Sequence, residues 1–506
     1  MENALKRFWE ANRRVIVICL IATFAWGLAA HGYGFANFQL SHDSLDGLYA
    51  EMTDNDHKIE LGRVFAPYYR LIVRGMFAMP WMSGLLALVW IAAAVICVAK
   101  LFDVKKPLVL VLISGLMTVN LTVTALSATY LHDLDINMFG MLLSCAAALV
   151  WQRRTRGWFA VGALCVGLSL GMYQSYVSVT VALVMMALIL RLLDGEKPAQ
   201  TLKSALLGAL MVIAGGVIYA LSMKGIVAAT GVQIAQRSNS VSALGNLTVQ
   251  ALPALLGGAY AYWWQYFADM PSVWIAPEWT TVLNMAVLVL SVAALAALLV
   301  KKNTGAVQKV LVIVIVLLLP LGMNACYVLA SGAVHDLMEY AFVLVYVLPL
   351  VLLGRLNIRP ARAVCASLAM LLLWGGVQTA NTVHFKKGLV AQATYSRMTN
   401  VAYDMLYYGY VPGETEVFVS GAIPFGGYPG FEQVDRILGV NQDNAVTRDT
   451  KSIRSYFTYV LGDNIVFATE EQQESIMATE DFEYMSRWPE EGYITVVDDV
   501  MVVKLN

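Results

Sequence analysis

Long apolar stretches constrain this chain more than any other feature of its sequence. A bilayer core is about 30 Å thick, so a helix needs roughly 20 consecutive apolar residues to cross it with its backbone polar groups paired internally. Eleven stretches fit: 14–33, 76–99, 107–128, 137–151, 157–172, 175–191, 204–222, 280–300, 309–330, 338–354 and 363–382. The sequence therefore predicts a polytopic α-helical membrane protein with about 11 transmembrane helices.

The composition agrees with a membrane protein and argues against two other classes. Of the 506 residues, 59% are hydrophobic and only 14% are charged, whereas soluble domains average about 25% charged residues. A nucleic-acid-binding protein would carry a strongly basic surface, but the net charge is -1. We expect a lipid bilayer as surroundings and no nucleic-acid partner.

The near-zero net charge conceals an uneven distribution along the chain. From Thr399 onward there are 18 acidic and 6 basic residues, which leaves 17 acidic and 28 basic residues before it. We predict a transmembrane module at 1–382 and a small acidic α/β domain at 383–506. In that domain the pattern predicts strands at 416–421 and 464–468, a helix at 470–477 and a hairpin that turns at Asp498 and Asp499.

Lysine and arginine set the expected orientation, because short cytoplasmic loops carry an excess of both. These residues precede the first stretch and recur in alternate connections: Lys6, Arg7, Arg13 and Arg14; Lys100, Lys105 and Lys106; Arg153, Arg154 and Arg156; Arg191, Lys197 and Lys203; Lys301, Lys302 and Lys309; Arg355, Arg359 and Arg362. We therefore predict a multi-pass protein of the cell (inner or plasma) membrane, with a cytoplasmic N-terminus, an uncleaved first span and an extracytoplasmic C-terminal domain.

The six cysteines all lie within predicted membrane helices. Their spacing fits neither disulfides nor metal ligands, so we interpret them as small buried apolar residues. No metal site is predicted. A Gly-rich loop ending in Lys-Ser or Lys-Thr is missing from the sequence, which argues against an ATP-driven pump.

Chemistry is expected on the outer face, where two long connections lie at 34–75 and 223–279. Asp43 and Asp46 follow the first span and are three residues apart, so on a helix they would share a face. A partly desolvated carboxylate beside the bilayer can serve as a general base toward a hydroxyl. The alternative is a solvated loop start in which Asp43 only caps a helix.

Arginines follow these acids in the same connection. Arg63 comes after Gly62, and Arg70 and Arg74 alternate with apolar and aromatic residues, which suits a helix in the membrane interface. Any of the three could bind a phosphate group outside the cell. For Arg70 and Arg74 the alternative is ordinary contact of a long side chain with lipid headgroups.

Polar and aromatic residues at other outer turns suggest a sugar site, because sugar rings stack on aromatic rings and their hydroxyls need hydrogen-bond partners. The candidates for binding sugar or acceptor are Tyr130, His132, Asp133 and Asp135 in one turn, Tyr173 and Gln174 in a second, and His335 in a third. His335, Asp336 and Glu339 are ionisable groups at the edge of a span, which makes them functional candidates, with simple interface solvation as the alternative. The aromatic run 260–267 is predicted to form an interfacial or re-entrant helix. Tyrosines also populate membrane interfaces without binding sugars, which is the alternative for these turns.

Several of these features occur together in one known group of proteins. The acidic pair after the first span, Gly62-Arg63, the second outer loop with its aspartates, and the exported tail resemble the GT-C membrane glycosyltransferases. The ending 487–493 and 496–505 is similar to that of the serotype-converting O-antigen glucosyltransferases of bacteria and their phages. The resemblance covers nearly the full chain and implies a GT-C-like fold.

The resemblance also implies a function and roles for residues. It implies inverting transfer of a hexose, glucose in that group, from a polyprenyl-phosphate donor to a glycan acceptor hydroxyl, with Asp43 or Asp46 as the base. Arg63 is the first choice for the donor phosphate, followed by Arg70, Lys224 and Arg237. Because a monophosphate donor needs no metal, no cofactor is expected.

Two functions of other classes remain as alternatives. A transporter or flippase for a lipid-linked glycan would place ionisable groups near the middle of the bilayer and show internal repeats. The centres of the predicted spans carry almost no charge, and we find no repeat in the sequence. A structural or sensor protein acting through its tail would not explain the polar first and second outer loops.

Overall fold

A computed structural model of the chain describes residues 2–37, 39, 41, 44–45, 52–75, 77, 79–235, 248, 250–268, 277–302, 304–423, 430–437, 440 and 450–506. These residues are mostly helical. The helices are α1 Glu2–Ala36, α2 Met52–Glu60, α3 Ala66–Tyr69, α4 Pro80–Leu101, α5 Pro107–Thr118, α6 Leu121–Thr129, α7 Leu134–Arg153, α8 Trp158–Met172, α9 Val177–Leu193, α10 Pro198–Thr230, α11 Leu252–Ala268, α12 Pro277–Lys301, α13 Ala306–Met323, α14 Ala325–Leu329, α15 Leu344–Leu356, α16 Arg359–Tyr407, α17 Thr450–Tyr456, α18 Glu470–Met477 and α19 Glu480–Tyr484.

The long helices agree with the predicted class. In the described part of the chain, eight helices are long and apolar enough to cross a membrane, or nine if the bent pair α5 and α6 forms one span. Two shorter apolar helices, Trp158–Met172 and Tyr340–Leu356, coincide with two further predicted stretches. The chain is therefore a polytopic helical membrane protein, while the count of eleven spans stays a prediction.

Local sequence signals set several helix boundaries. Pro80, Pro107 and Pro198 each occupy the first turn of a helix, where a missing N–H costs no hydrogen bond. Between α5 and α6 the chain bends by 43° at Asn120. The Asn120 side chain accepts a hydrogen bond from the Val123 N–H at 3.1 Å and caps α6. This bend leads α6 to the turn that carries Asp133.

Polar contacts hold the helices together at the end that is predicted to face the cytoplasm. Arg191, at the end of α9, donates hydrogen bonds to Gln152 at the end of α7 and to Ser204 in α10. Lys302 and Arg355 both contact Asp194, which follows α9. Cations from connections that the sequence assigned to one side therefore meet at one end of the bundle.

The C-terminal part contains a four-stranded sheet in the order β2-β1-β4-β3. Its strands are β1 Glu416–Ser420, β2 Val466–Phe467, β3 Ile494–Val497 and β4 Val500–Lys504. Strand β1 is parallel to β2 and β4, and β3 and β4 form an antiparallel hairpin. Asp498 and Asp499 have φ of 50° and 63° in the two-residue turn, which suits a hairpin of type I′. The predicted helix 470–477 and the hairpin turn are confirmed.

The membrane and C-terminal parts are joined by one helix. Helix α16 has 49 residues, about 74 Å at 1.5 Å per residue, and it runs unbroken through the predicted boundary at 382. That boundary stays a prediction. Met398, Val401 and Met405 of α16 share a buried core with the sheet, and this core includes Leu45 from the first long connection. The C-terminal part therefore packs against Leu45 of the first long connection.

Candidate active site

The two carboxylates expected to act as base, Asp43 and Asp46, lie outside the described residues, and so does Arg237. Two described residues that precede Asp43 make hydrogen bonds to other helices. Ser41 Oγ donates a hydrogen bond to the Thr129 carbonyl at 2.6 Å, and the Gln39 amide donates to the carbonyl of His384. The start of the connection is thus tied to the C-terminal end of α6 and to the middle of α16.

Asp133 is the centre of a buried ion cluster at the N-terminal end of α7. Lys58 Nζ and Arg70 Nη2 both contact its carboxylate, the latter at 2.8 Å. Arg63 Nη1 lies 3.8 Å from the same carboxylate, and His132 Nε2 lies 3.6 Å away. Asp133 and Arg70 are almost fully buried. One carboxylate therefore fixes side chains from three places in the first long connection.

Asp135 anchors a second buried pair. Arg74 Nε donates to Asp135 Oδ2 at 2.8 Å, and another guanidinium nitrogen donates to the His132 carbonyl at 2.5 Å. The Tyr69 hydroxyl also hydrogen bonds Asp135 and accepts a bond from Trp90 Nε1 at 2.7 Å. Burial, reinforced by the Asp135 charge, raises the pKa of Tyr69. This hydroxyl is therefore a neutral hydrogen-bonding group at physiological pH.

A single turn presents Arg70 and Arg74 to these carboxylates. Residues Arg70–Arg74 form a π-helical turn, in which residues four apart lie on a similar face. The opposite face is apolar, and Leu71 and Ile72 are strongly exposed. The predicted amphipathic pattern is therefore present. The alternative in which Arg70 and Arg74 reach lipid headgroups is wrong, because both side chains are buried against aspartates.

Arg63 is positioned by the backbone that precedes it. Gly62 has φ of 75°, a left-handed conformation that glycine adopts without steric cost. The carbonyls of Leu61 and Gly62 accept hydrogen bonds from Gln174 Nε2 at 3.2 Å and from the Tyr219 hydroxyl at 2.9 Å. Gln174, predicted to bind sugar or acceptor, thus clamps the Gly62-Arg63 turn.

The turn also packs against α8. The Phe65 N–H donates to the Gly171 carbonyl at 3.0 Å, and a Cβ at residue 171 would overlap the Phe65 ring. Gly62-Arg63 therefore forms a turn whose conformation depends on Gly62 and whose packing against α8 depends on Gly171.

The Arg63 guanidinium has the freest position among the described cations of the cluster. It lies 4.7 Å from the centre of the Tyr173 ring, and its side chain keeps 20% exposure, compared with 0% for Arg70. Within the described part of the chain its only charged contact is the 3.8 Å approach to Asp133. Its hydrogen-bond donors thus remain available to a further anion.

The turn at 335–340 faces the same region. His335 lies close enough to Arg63 for the two charges to interact, and burial together with that cation lowers the pKa of His335 to about 4. The Tyr262 hydroxyl donates to Glu339 Oε1, which is buried. The predicted aromatic run 260–267 belongs to α11 and covers this turn.

The remaining predicted residues occupy different places. Tyr130 lies beside His132, with ring centres 5.9 Å apart. Lys224 is exposed on α10, and no hydrogen bond or ion pair joins it to the described residues of the cluster. Lys58, in contrast, was missed by sequence reasoning. Lys58 lies in a polar stretch of sequence, and nothing in that stretch predicts that its side chain is buried. In the described ranges, no three His, Cys, Asp or Glu side chains are arranged to hold a metal ion.

The fold and this site define the class of protein: a polytopic helical membrane protein with a buried cationic centre at one end of its helices. The chain belongs to the glucosyl transferase GtrII family, whose family model matches residues 32–353. It is therefore a glycosyltransferase, and the resemblance to serotype-converting O-antigen glucosyltransferases is confirmed. Comparison with curated proteins gave no match, and comparison with solved structures gave none. The matched residues include the entire Asp133 cluster.

Replacing Asp133 by Asn should destabilise the protein by about 3–5 kcal/mol, because two buried cations would lose the charge that compensates them. The free energy of unfolding in detergent measures this loss. Asp103→Asn is the matched control, since Asp103 pairs with Lys105 at 2.9 Å with both side chains more than 70% exposed, and exposed pairs contribute little. Equal stability of the two variants would contradict the buried cluster.

Replacing Gly62 by Ala should cost about 1–2 kcal/mol of stability through the left-handed backbone and should lower glycosyl transfer about tenfold or more by displacing Arg63. Gly157→Ala is the control, because Gly157 has φ of 76° and has open space around it beyond the other end of α7. Both variants should lose similar stability, and only Gly62→Ala should lose activity. If both variants lost activity to the same extent, the loss in Gly62→Ala would not come from displacement of Arg63.

Proposed function

We propose that this glycosyltransferase moves a hexose, glucose in the first instance, from a polyprenyl-phosphate donor to a glycan hydroxyl at the outer face of the cell membrane. Membership of the glucosyl transferase family supports the sugar and the reaction class. The cations of the Asp133 cluster, which lies at one end of several helices, support an anionic lipid donor.

The observation that carries the proposal is the excess of positive charge around two carboxylates. Four cations, Lys58, Arg63, Arg70 and Arg74, contact Asp133 or Asp135. Among these described side chains, the cations outnumber the carboxylates by two. A lipid monophosphate carries compensating charge, and an arginine binds its oxygens with well-directed hydrogen bonds.

Arg63 is the residue that we assign to the donor phosphate. Its guanidinium is partly exposed and close to Asp133 without a hydrogen bond to it, and Tyr173 supports it from one side. Arg70 is a weaker candidate for direct contact because it is fully buried against Asp133. It would act by adding positive potential. Lys224 and Arg237 stay candidates for the same phosphate.

The chemistry requires one proton transfer and one displacement. Asp43 or Asp46 takes the proton of the acceptor hydroxyl while the hydroxyl oxygen forms a bond to the anomeric carbon. The bond from that carbon to the phosphate oxygen breaks, and the lipid phosphate leaves with the bonding electron pair. Arg63 stabilises the charge that develops on this phosphate, which is the kind of electrostatic effect that gives large rate enhancements. Attack opposite the leaving group inverts the anomeric configuration.

The membrane arrangement completes the proposal. A cytoplasmic N-terminus puts the Asp133 cluster on the outer side, together with the sheet that follows α16. The C-terminal part, whose core includes Leu45, would hold the loop that carries the base and would contribute to acceptor binding. The acceptor is a cell-surface polysaccharide such as an O-antigen.

The test uses the full-length protein in lipid nanodiscs with synthetic polyprenyl-phosphate glucose and isolated O-antigen. The wild type should transfer glucose, and the product should have the anomeric configuration opposite to that of the donor. Arg63→Ala should lower kcat/KM for the donor by about 100-fold, as expected for loss of a charge-stabilising group. Asp43→Asn or Asp46→Asn should abolish most transfer.

Arg154→Ala is the matched control for the arginine variant. Arg154 lies 5.7 Å from the Trp158 ring at the other end of α7, so its loss removes a similar contact away from the site. Full transfer by both aspartate variants would contradict the assigned base. Movement of a fluorescent lipid-linked glycan across the membrane, without glucosyl transfer, would favour the flippase alternative instead.

A further inference from the structure

Buried polar atoms without a partner collect around the turn at 335–340. In the described residues, no hydrogen-bond partner is found for Ser175 Oγ, Tyr176 Oη, His335 Nδ1 or Glu339 Oε2, although each atom is buried. Buried polar groups in folded proteins are nearly always paired. Four such atoms in neighbouring turns therefore indicate a place where a polar ligand binds.

Contacts between the turns place these atoms in one region. Ser178 Oγ, in the first turn of α9, accepts a hydrogen bond from Cys326 N at 3.1 Å, and Cys326 Sγ donates to the Met338 carbonyl at 3.6 Å. The ring centres of Tyr176 and Tyr340 are 6.0 Å apart. The turn before α9 and the turn at 335–340 are thus joined directly.

The same region adjoins Arg63. The Tyr173 ring lies 4.7 Å from the Arg63 guanidinium and 5.6 Å from the Tyr176 ring, and His335 lies within electrostatic reach of Arg63. A molecule whose phosphate contacts Arg63 would therefore bring its next chemical group toward His335 and Glu339. In a polyprenyl-phosphate hexose, that group is the sugar ring.

We propose that these atoms form the subsite for the hexose ring of the donor, in which Glu339 Oε2 hydrogen bonds a ring hydroxyl and selects the sugar. This inference rests on the proposed function. A hexose offers several hydroxyls that both donate and accept, which matches two hydroxyl groups, one imidazole nitrogen and one carboxyl oxygen.

Glu339 is held for this role from one side only. Its Oε1 accepts a hydrogen bond from the Tyr262 hydroxyl of α11, while Oε2 has no protein partner among the described residues. The carboxyl orientation is therefore fixed by the protein and its second oxygen is left for a ligand. A site built to hydrogen bond a substrate hydroxyl discriminates strongly against an analogue that lacks it.

The experiment combines protein variants with donor analogues. Full-length protein in nanodiscs is assayed with polyprenyl-phosphate glucose and with its 2-, 3-, 4- and 6-deoxy forms. The wild type should use at least one deoxy donor about 10- to 100-fold less efficiently in kcat/KM. Glu339→Leu should lower kcat/KM for the glucose donor by a similar factor, with no further loss for that deoxy donor, because both changes remove one hydrogen bond.

Two further variants keep the result interpretable. Ser175→Ala removes a buried hydroxyl with little change in volume and should raise KM for the glucose donor, and Glu339→Gln keeps the side-chain shape if Glu339→Leu fails to fold. Glu196→Leu, beyond the other end of α9, is the control and should keep the wild-type preference among donors. Altered preference among deoxygenated acceptors, with donor preference unchanged, would overturn the donor assignment.

Failure of this inference differs from failure of the proposed function. If the wild type transfers no hexose from any polyprenyl-phosphate donor, the proposed function is wrong. If the wild type transfers glucose but Glu339→Leu and Glu339→Gln keep its full pattern of sensitivity to deoxy donors, the subsite is wrong. In that case the unpaired atoms bind water only.

Discussion

The buried carboxylate of Asp133 makes the ion pairs on which the candidate site depends. Lys58 and Arg70 would each be costly to bury alone, because a charge in a low-dielectric interior needs a compensating partner. Asp133 lies immediately before α7, where the partial positive charge of a helix N-terminus also favours an anion. Its two oxygens contact different cations, so one side chain determines where α2 and the π-helical turn lie.

Arg63 illustrates a different constraint, because its backbone is fixed more firmly than its side chain. Gly62 and the clamp by Gln174 and Tyr219 hold the peptide, while the guanidinium contacts the Tyr173 ring and, among the described residues, hydrogen bonds no carboxylate. A cation held in this way is preorganised for an anion without being neutralised beforehand. Arg70 and Arg74 differ from Arg63, because each forms an ion pair with an aspartate at 2.8 Å. This difference explains why neighbouring arginines of one loop need not share one role.

The sequence predicted the helices well because the length and polarity of an apolar stretch are local properties. It also named Gly62-Arg63, after the first span, and Asp133, in a turn between spans, as candidate site residues, and their roles stay predictions. It could not predict their pairing. Lys58 and Asp133 are 75 residues apart, and only the packing of α7 against the first long connection brings them together. For the same reason the sequence left open whether Arg70 and Arg74 contact lipid headgroups, whereas in the structure each is paired with an aspartate.

The balance of charge in this site has a consequence for how it can work. If every cation were matched by a carboxylate, the cluster would be stable but would have little attraction for a phosphate. If no carboxylate were present, four cations beside a bilayer would repel each other and would be too costly to bury. In the described part of the chain, two aspartates contact four cations, and this ratio lies between the two extremes. The aspartates lower the free-energy cost of burying the cations, and the partly exposed cation is Arg63. Under the proposed function, the donor is a phosphodiester that would bring one negative charge to Arg63 and so offset part of this excess, and the second negative charge that develops on the departing lipid phosphate would offset more of it.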